Sequence, residues 1–328
     1  MSHLKTKIRN TYYSQRKLFR KTIYGNCAVL LYHRVTDLKT DPQLLAVNPT
    51  NFDNHISLLK KKYTLLHVDQ FYDLLSKQKK FPKNSILITF DDGYADNYIE
   101  ALPVLEKYNA QALFYISTGT LNTTNEYWWD AMERIILLSD VNFVADNFEL
   151  NGLQFELADL NSVKKNSLYE SILPILRNMP SSNREEKIAI LSHLFNSVKG
   201  RETHRAMTFD ELKRMSESRS AIIGAHTHLH PSLASLTYEQ QLDEIQLSKS
   251  ILEKIINKPV KHFSYPFGKI SDFNLETIAI CKKTGFDMVA ANYPELVDKK
   301  SNLYSFPRFL VRDWSIERFE KELDNFFN

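Results

Sequence analysis

Apolar residues along the chain gather into seven short runs, at positions 28–33, 85–91, 112–117, 221–226, 262–266, 287–291 and 304–311. Runs this short, apolar or rich in β-forming side chains, read as buried strands. Between most of them apolar residues return at the helical period, at 50–62, 68–77, 98–108, 238–256 and 274–284. Strands alternating with helices predict a parallel sheet, open or closed into a barrel. Thr284-Gly285-Phe286-Asp287 reads as a helix end that feeds straight into the next strand.

The rhythm breaks between Asn122 and Arg205. Glu126-Tyr127-Trp128-Trp129-Asp130 opens this stretch, and helical patterns follow at 163–177 and 184–197. It reads as an insertion between the third and fourth strands, on the loop face where a barrel binds substrate. With 8 Gly in 328 residues and no flexible linker, residues 26–328 read as a single domain behind a distinct segment, 1–25. The first 22 residues carry Lys5, Lys7, Arg9, Arg16, Lys17, Arg20 and Lys21 and no acid, with Leu4, Ile8, Tyr12, Phe19 and Ile23 at roughly helical spacing. Such a basic amphipathic helix either lies on an anionic membrane surface or docks on the floor of the barrel.

A formal charge of +3 is too small for a nucleic-acid binder, which carries a basic stripe on a far more basic domain. Cys27 and Cys281 alone make no disulfide framework. No run approaches the roughly 20 apolar residues that span a bilayer, and no secretory core follows the first Met. The expected location is therefore the cytoplasm, at the inner membrane surface if the basic helix binds lipid.

Two motifs carry chemistry. Thr89-Phe90-Asp91-Asp92-Gly93-Tyr94 follows the second run. Adjacent carboxylates at a strand end repel. They read either as a helix N-cap or as a metal ligand beside a base, with Gly93 supplying the freedom to turn both toward one site. His226-Thr227-His228-Leu229-His230-Pro231 follows the fourth run. His226 and His230 can converge on one cation if the backbone turns helically, with His228 pointing away, and a surface turn is the alternative. Asp92, His226 and His230 together would leave coordination positions open, the pattern of a catalytic metal.

These motifs resemble the polysaccharide deacetylases of carbohydrate esterase family 4, from Val29-Leu30-Leu31-Tyr32-His33-Arg34-Val35 to about Arg308. Ala101-Leu102-Pro103-Val104-Leu105, Met207-Thr208-Phe209-Asp210-Glu211-Leu212 and Phe263-Ser264-Tyr265-Pro266-Phe267-Gly268 support the resemblance. It implies a distorted (β/α)7 barrel and hydrolysis of an N-acetyl group on an amino sugar. It also implies a divalent metal, Zn²⁺ or else Co²⁺, Ni²⁺ or Mn²⁺, on Asp92, His226 and His230. Asp91 would be the general base and the Phe267 backbone N–H an oxyanion donor. Tyr94, Tyr265, Pro266, Trp128 and Trp129 would meet the sugar, although buried packing is the commoner fate of such aromatics.

Two family features are missing. Ser264 stands where the family has the Arg that orients the base; Arg308 is the candidate replacement, or a structural Arg. The family's late Leu-x-His motif, whose His protonates the leaving amine, is absent, since no His follows His262. His33 at the end of the first strand would serve as the acid, or hold a loop; His262 is a weaker candidate, and Asp313-Trp314 would form pocket wall. The expected partner is an N-acetylated saccharide or glycolipid in cell-surface polysaccharide synthesis. Deformylation or hydrolysis of another amide at the same site, and an idle saccharide-binding barrel, are the competing readings.

Overall fold

A computed structural model describes residues 25–139, 147–157, 160–197 and 199–327. The basic segment therefore lies outside the described residues, and with it the expected membrane contact. Among the described residues no helix is long and apolar enough to cross a membrane.

All seven apolar runs contain strands: β1 (Cys27–Tyr32), β2 (Ser85–Phe90), β3 (Ala112–Ile116), β4 (Ala221–Ala225), β5 (His262–Ser264), β6 (Met288–Ala290) and β7 (Phe309–Leu310). They pair in parallel in the spatial order β6-β5-β4-β3-β2-β1-β7, with the short strand Thr64–Leu65 added beside β2. Each strand from β2 to β6 lies beside its predecessor, and the last returns to the first. Phe306 then bridges Ala290 of β6. Its amide donates to Val289 and its carbonyl accepts from Ala291. One segment thus touches both edges of the curled sheet, which is the expected distorted barrel. β1 and β2 are buried along their whole length, as strands covered on both faces must be.

The connecting helices start where the sequence offers caps. α1 (Pro49–Lys62) begins at Asn48, whose side chain accepts from the Thr50 amide, with Pro49 in the first turn. It turns Phe52, Ile56 and Leu59 inward. In chain order α2 (Val68–Ser76), α3 (Leu102–Lys107), α4 (Trp128–Met132), α5 (Ser162–Arg177), α6 (Ser181–Leu194), α7 (Phe209–Glu217), α8 (Tyr238–Ile256), α9 (Leu275–Lys283) and α10 (Ile316–Phe327) follow. Thr208 and Glu211 close a capping box on α7, and Thr237 and Gln240 close one on α8. Gly285 takes φ 81° just past α9, the left-handed residue expected between that helix and β6. The insertion between β3 and β4 holds α4, α5, α6 and a hairpin of Asn147–Leu150 with Leu153–Glu156. Cys27 and Cys281 are both free and buried.

Candidate active site

The chemistry gathers where the strands leave the sheet at their C-terminal ends. His33 follows β1, Asp91 and Asp92 follow β2, His226 follows β4, Phe267 lies just beyond β5 and Arg312 just beyond β7. All six line one cavity of about 420 Å³. Trp128 and Trp129 of α4 and Leu173, Pro174 and Arg177 of α5 also line it, so the insertion contributes to the wall.

Adjacent strand residues point to opposite faces, so Asp91 and Asp92 share one site only because the chain turns. Asp92 itself takes φ 76° and Gly93 follows at 92°, so the turn strains an aspartate as well as using the glycine. A Cβ on Gly93 would lie 2.8 Å from the Ile116 side chain. Thr227, His230 and Phe267 also take positive φ, at 64°, 53° and 59°. Each such non-glycine residue costs roughly 1–3 kcal/mol, and that strain gathered around one cavity is the mark of a functional site.

Asp91 is held by Arg308. The guanidinium donates from Nη1 to Oδ1 and from Nη2 to Oδ2, both at 2.7 Å. Its remaining donors reach the Ser264 hydroxyl at 2.7 Å, the Thr89 hydroxyl at 3.2 Å and the Ala291 carbonyl at 2.9 Å. Burial pushes the Asp91 carboxyl up, but the opposing influences, the Arg308 guanidinium foremost, hold the group below the usual carboxylate range. Arg308 therefore grips both oxygens of Asp91, and Ser264 hydrogen-bonds the same guanidinium.

Asp92, His226 and His230 converge, but not through the helical turn expected from the histidine spacing, since Thr227 and His230 both take positive φ. Their ligand atoms all lie within 4.8 Å of one another. The His226 Nδ1–H donates to the Ser264 carbonyl at 2.8 Å, which leaves Nε2 as a lone pair 3.6 Å from Asp92 Oδ1. His230 Nε2 lies 3.4 Å from the same oxygen. Burial lowers the basicity of both imidazoles, keeping them neutral and able to ligate. Burial and the Asp91 charge push Asp92 well above the ordinary range. A divalent cation relieves that cost, so a carboxylate and two neutral imidazoles fit such an ion and leave room for other ligands.

His33 faces the cavity with its Nδ1 buried and unpartnered, and burial pushes its pKa down to about 3. Trp129 packs edge-on against His230 at 4.8 Å between centroids, and its indole N–H donates to the Tyr94 hydroxyl. Tyr94 in turn donates to Asp130 at 2.6 Å and is fully buried. Tyr94, Tyr265 and Pro266 thus back the cavity and do not line it. Tyr265 spends its hydroxyl on the Tyr304 carbonyl and stacks on Phe273. His228 turns away to the Thr118 hydroxyl. Asp313 accepts from Asn48 and Asn51 instead of forming pocket wall, and Trp314 packs near Phe319. His262, buried at the start of β5, does not line the cavity.

A second cluster, Asp130, Glu133 and His204, has metal-ligand spacing. Arg201 pairs with Glu133 at 2.9 Å, while burial outweighs Arg34 and pushes the Asp130 carboxyl up to about 7.

The sequence matches the profile of the family described as polysaccharide deacetylase over residues 78–137 and 185–289, half of the chain. The chain belongs to the polysaccharide deacetylase family. The match includes Asp91, Asp92, His226, His230 and Phe267, skips most of the insertion, and ends before Arg308. The poly-β-1,6-N-acetyl-D-glucosamine N-deacetylase of Staphylococcus aureus strain N315 is 24% identical over 312 residues, 94% of this chain and 80% of that one. The fold is shared with the deacetylase PplD of Streptococcus pyogenes in complex with acetate, at TM-score 0.59 and 20% identity over 92% of this chain and 99% of that one. It is shared equally with IcaB from Ammonifex degensii, at TM-score 0.59 and 16% identity over 93% and 98%. The sequence reading missed the cavity cations Arg177, Lys269 and Arg312. Arg312 had a signal, since it directly follows the last apolar run; Arg177 had none beyond its place in the insertion.

Proposed function

We propose that the chain removes the N-acetyl group from an amino sugar in a polysaccharide, using Asp91 as general base beside a divalent cation held by Asp92, His226 and His230. The observation that carries this reading is Asp91, ionised by the two-pronged grip of Arg308 and set next to a ligand trio that does not need it. When bound, the cation, zinc in this reading, makes nearby water more acidic and polarises the amide carbonyl.

The chain's own residues do the rest. Asp91 accepts the proton of the attacking water, and Arg308 keeps its carboxylate charged and aimed. The Phe267 amide, for which no acceptor is found among the described residues, donates to the oxygen that becomes negative as the carbonyl carbon turns tetrahedral. His33 is neutral at rest, so it serves the departing nitrogen by relaying to it the proton that Asp91 has taken from the attacking water. Trp128 and Trp129, both in the cavity wall, border a bound sugar ring and keep bulk water out.

The name of the S. aureus relative supports N-acetylglucosamine in the polymer. A lipid-linked acceptor rests on the basic pattern of residues 1–22 alone. The deciding assay measures acetate from a β-1,6-linked N-acetylglucosamine oligomer, using metal-stripped protein with and without Zn²⁺ and the Asp91→Asn variant. Metal-dependent acetate that vanishes in the variant supports the assignment. Acetate that persists in the variant removes Asp91 from the role of base.

A further inference from the structure

We infer that the saccharide accepted here carries an anionic group, a carboxylate or a phosphoryl, near the amide that is cut. This rests on the deacetylase reading and names its substrate class.

Among the described residues the only carboxylates in the cavity wall are Asp91 and Asp92. Arg308 answers the first and the ligand trio absorbs the second. Three further cations, Arg177, Lys269 and Arg312, line the same wall. Arg312 donates to the backbone carbonyls of Gln43, at 3.0 Å, and Leu44, which hold the guanidinium without neutralising it. Asp41, the acid that acts on it through space, has one oxygen taken by the Leu45 amide and the other by the Ala46 amide. The Lys269 ammonium makes no ion pair among the described residues. Arg177 does share Asp272, at 2.5 Å, yet its Nε is buried without a partner and its guanidinium lies 4.1 Å above the Phe267 ring. Asp272 is itself committed, to the Ser232 hydroxyl and the Lys269 amide.

A neutral N-acetylhexosamine polymer offers hydroxyls and amides, which need none of this charge. A half-buried guanidinium with no acid in direct ion-pair contact, Asp41 acting on it only through space, carries a standing cost, and a carboxylate or phosphoryl oxygen relieves it with matching fork geometry. Arg312 lines the same cavity as His33, Asp91 and the ligand trio, so an anion held by Arg312 shares that cavity with the amide to be cut.

The test uses the full zinc-loaded chain and three β-1,6-linked N-acetylglucosamine trisaccharides: a neutral methyl glycoside, one bearing a phosphate monoester and one bearing a uronic acid. Rapid mixing reads tryptophan fluorescence from the cavity wall before turnover. The expected result is roughly tenfold tighter binding of at least one charged sugar, with the better arm naming the anion. That preference should fade at about 1 M salt, where the screening length drops to about 3 Å. It should also fall to about one in the Arg312→Gln/Lys269→Gln double variant, which keeps the metal ligands, so any direct grip of phosphate on the cation stays the same. Equal affinity for all three sugars overturns the inference, as does a preference that survives in the double variant. Failure of the deacetylase reading is seen separately, as absence of acetate from every one of the three.

Discussion

Replacing Arg308 by Gln tests the centre of the mechanism. The guanidinium is 1% exposed and makes five hydrogen bonds, two of them to the Asp91 carboxylate. Removing one partner of a buried ion pair leaves the other charge uncompensated and costs about 3–5 kcal/mol. In the native protein Asp91 holds its proton less tightly than in the unfolded chain, where its pKa is about 3.9. It therefore adds stability at pH above that value, and the contribution is lost as pH falls through the lower folded value. Without Arg308, burial dominates and the sign reverses: the folded carboxyl binds its proton more tightly, and stability falls as pH rises from about 3.9 through the new folded value. The acid limb of the pH–rate profile of the zinc-loaded variant should move upward. Turnover at neutral pH should drop by roughly 10²-fold or more, the scale of a lost general base, while metal stoichiometry stays the same. Melting curves at several pH values and acetate release against pH measure both. An acid limb that stays in place would show that something other than Arg308 keeps Asp91 ionised.

The remaining expectations concern the cation and the acid. His226→Ala should cut metal content measured by elemental analysis and abolish turnover together; bound metal at the native ratio would take His226 out of the ligand set. His33→Ala should leave metal content intact and lower kcat by roughly 10²-fold, with the larger loss on poor leaving amines. Uniform loss across leaving groups would point to a holding role for His33 and move the proton to another donor.

The strands were legible because each is a short run buried on both faces, which composition alone betrays. Their limits were less so. The run at 304–311 pairs only at Phe306 and again at Phe309–Leu310, because Pro307 between them has no N–H to donate to a ladder. That gap is also what the site uses, since Arg308 follows the proline and turns its side chain inward onto Asp91. The helical period at 98–108 hides a similar irregularity. The backbone winds as a wider turn over Asn97–Ala101 before α3, where the Leu102 amide reaches back to Asn97 and Pro103 offers no donor of its own.

Legibility in the site follows the same physics. Asp91, Asp92, His226 and His230 stood out because a helix N-cap or a surface turn accounts for each motif singly but not for carboxylates and imidazoles together at strand ends. The aromatic residues misled, since a Tyr next to a catalytic aspartate can as easily support as touch. Tyr94 passes its hydroxyl to Asp130 and takes the Trp129 indole, so it fixes the wall that packs on His230 and never reaches the cavity. The cavity cations were the least readable. Arg177, Lys269 and Arg312 belong to the insertion, the turn after β5 and the segment after β7, and meet only because the barrel brings those loops to one rim. Charge that looks unremarkable as a net +3 along the sequence is concentrated by the fold where the reaction takes place. A family pattern read from the Asp-Asp and His-rich motifs thus points to the bond that is cut, while on the inference drawn above the choice of sugar would be set by loops that share no sequence neighbourhood.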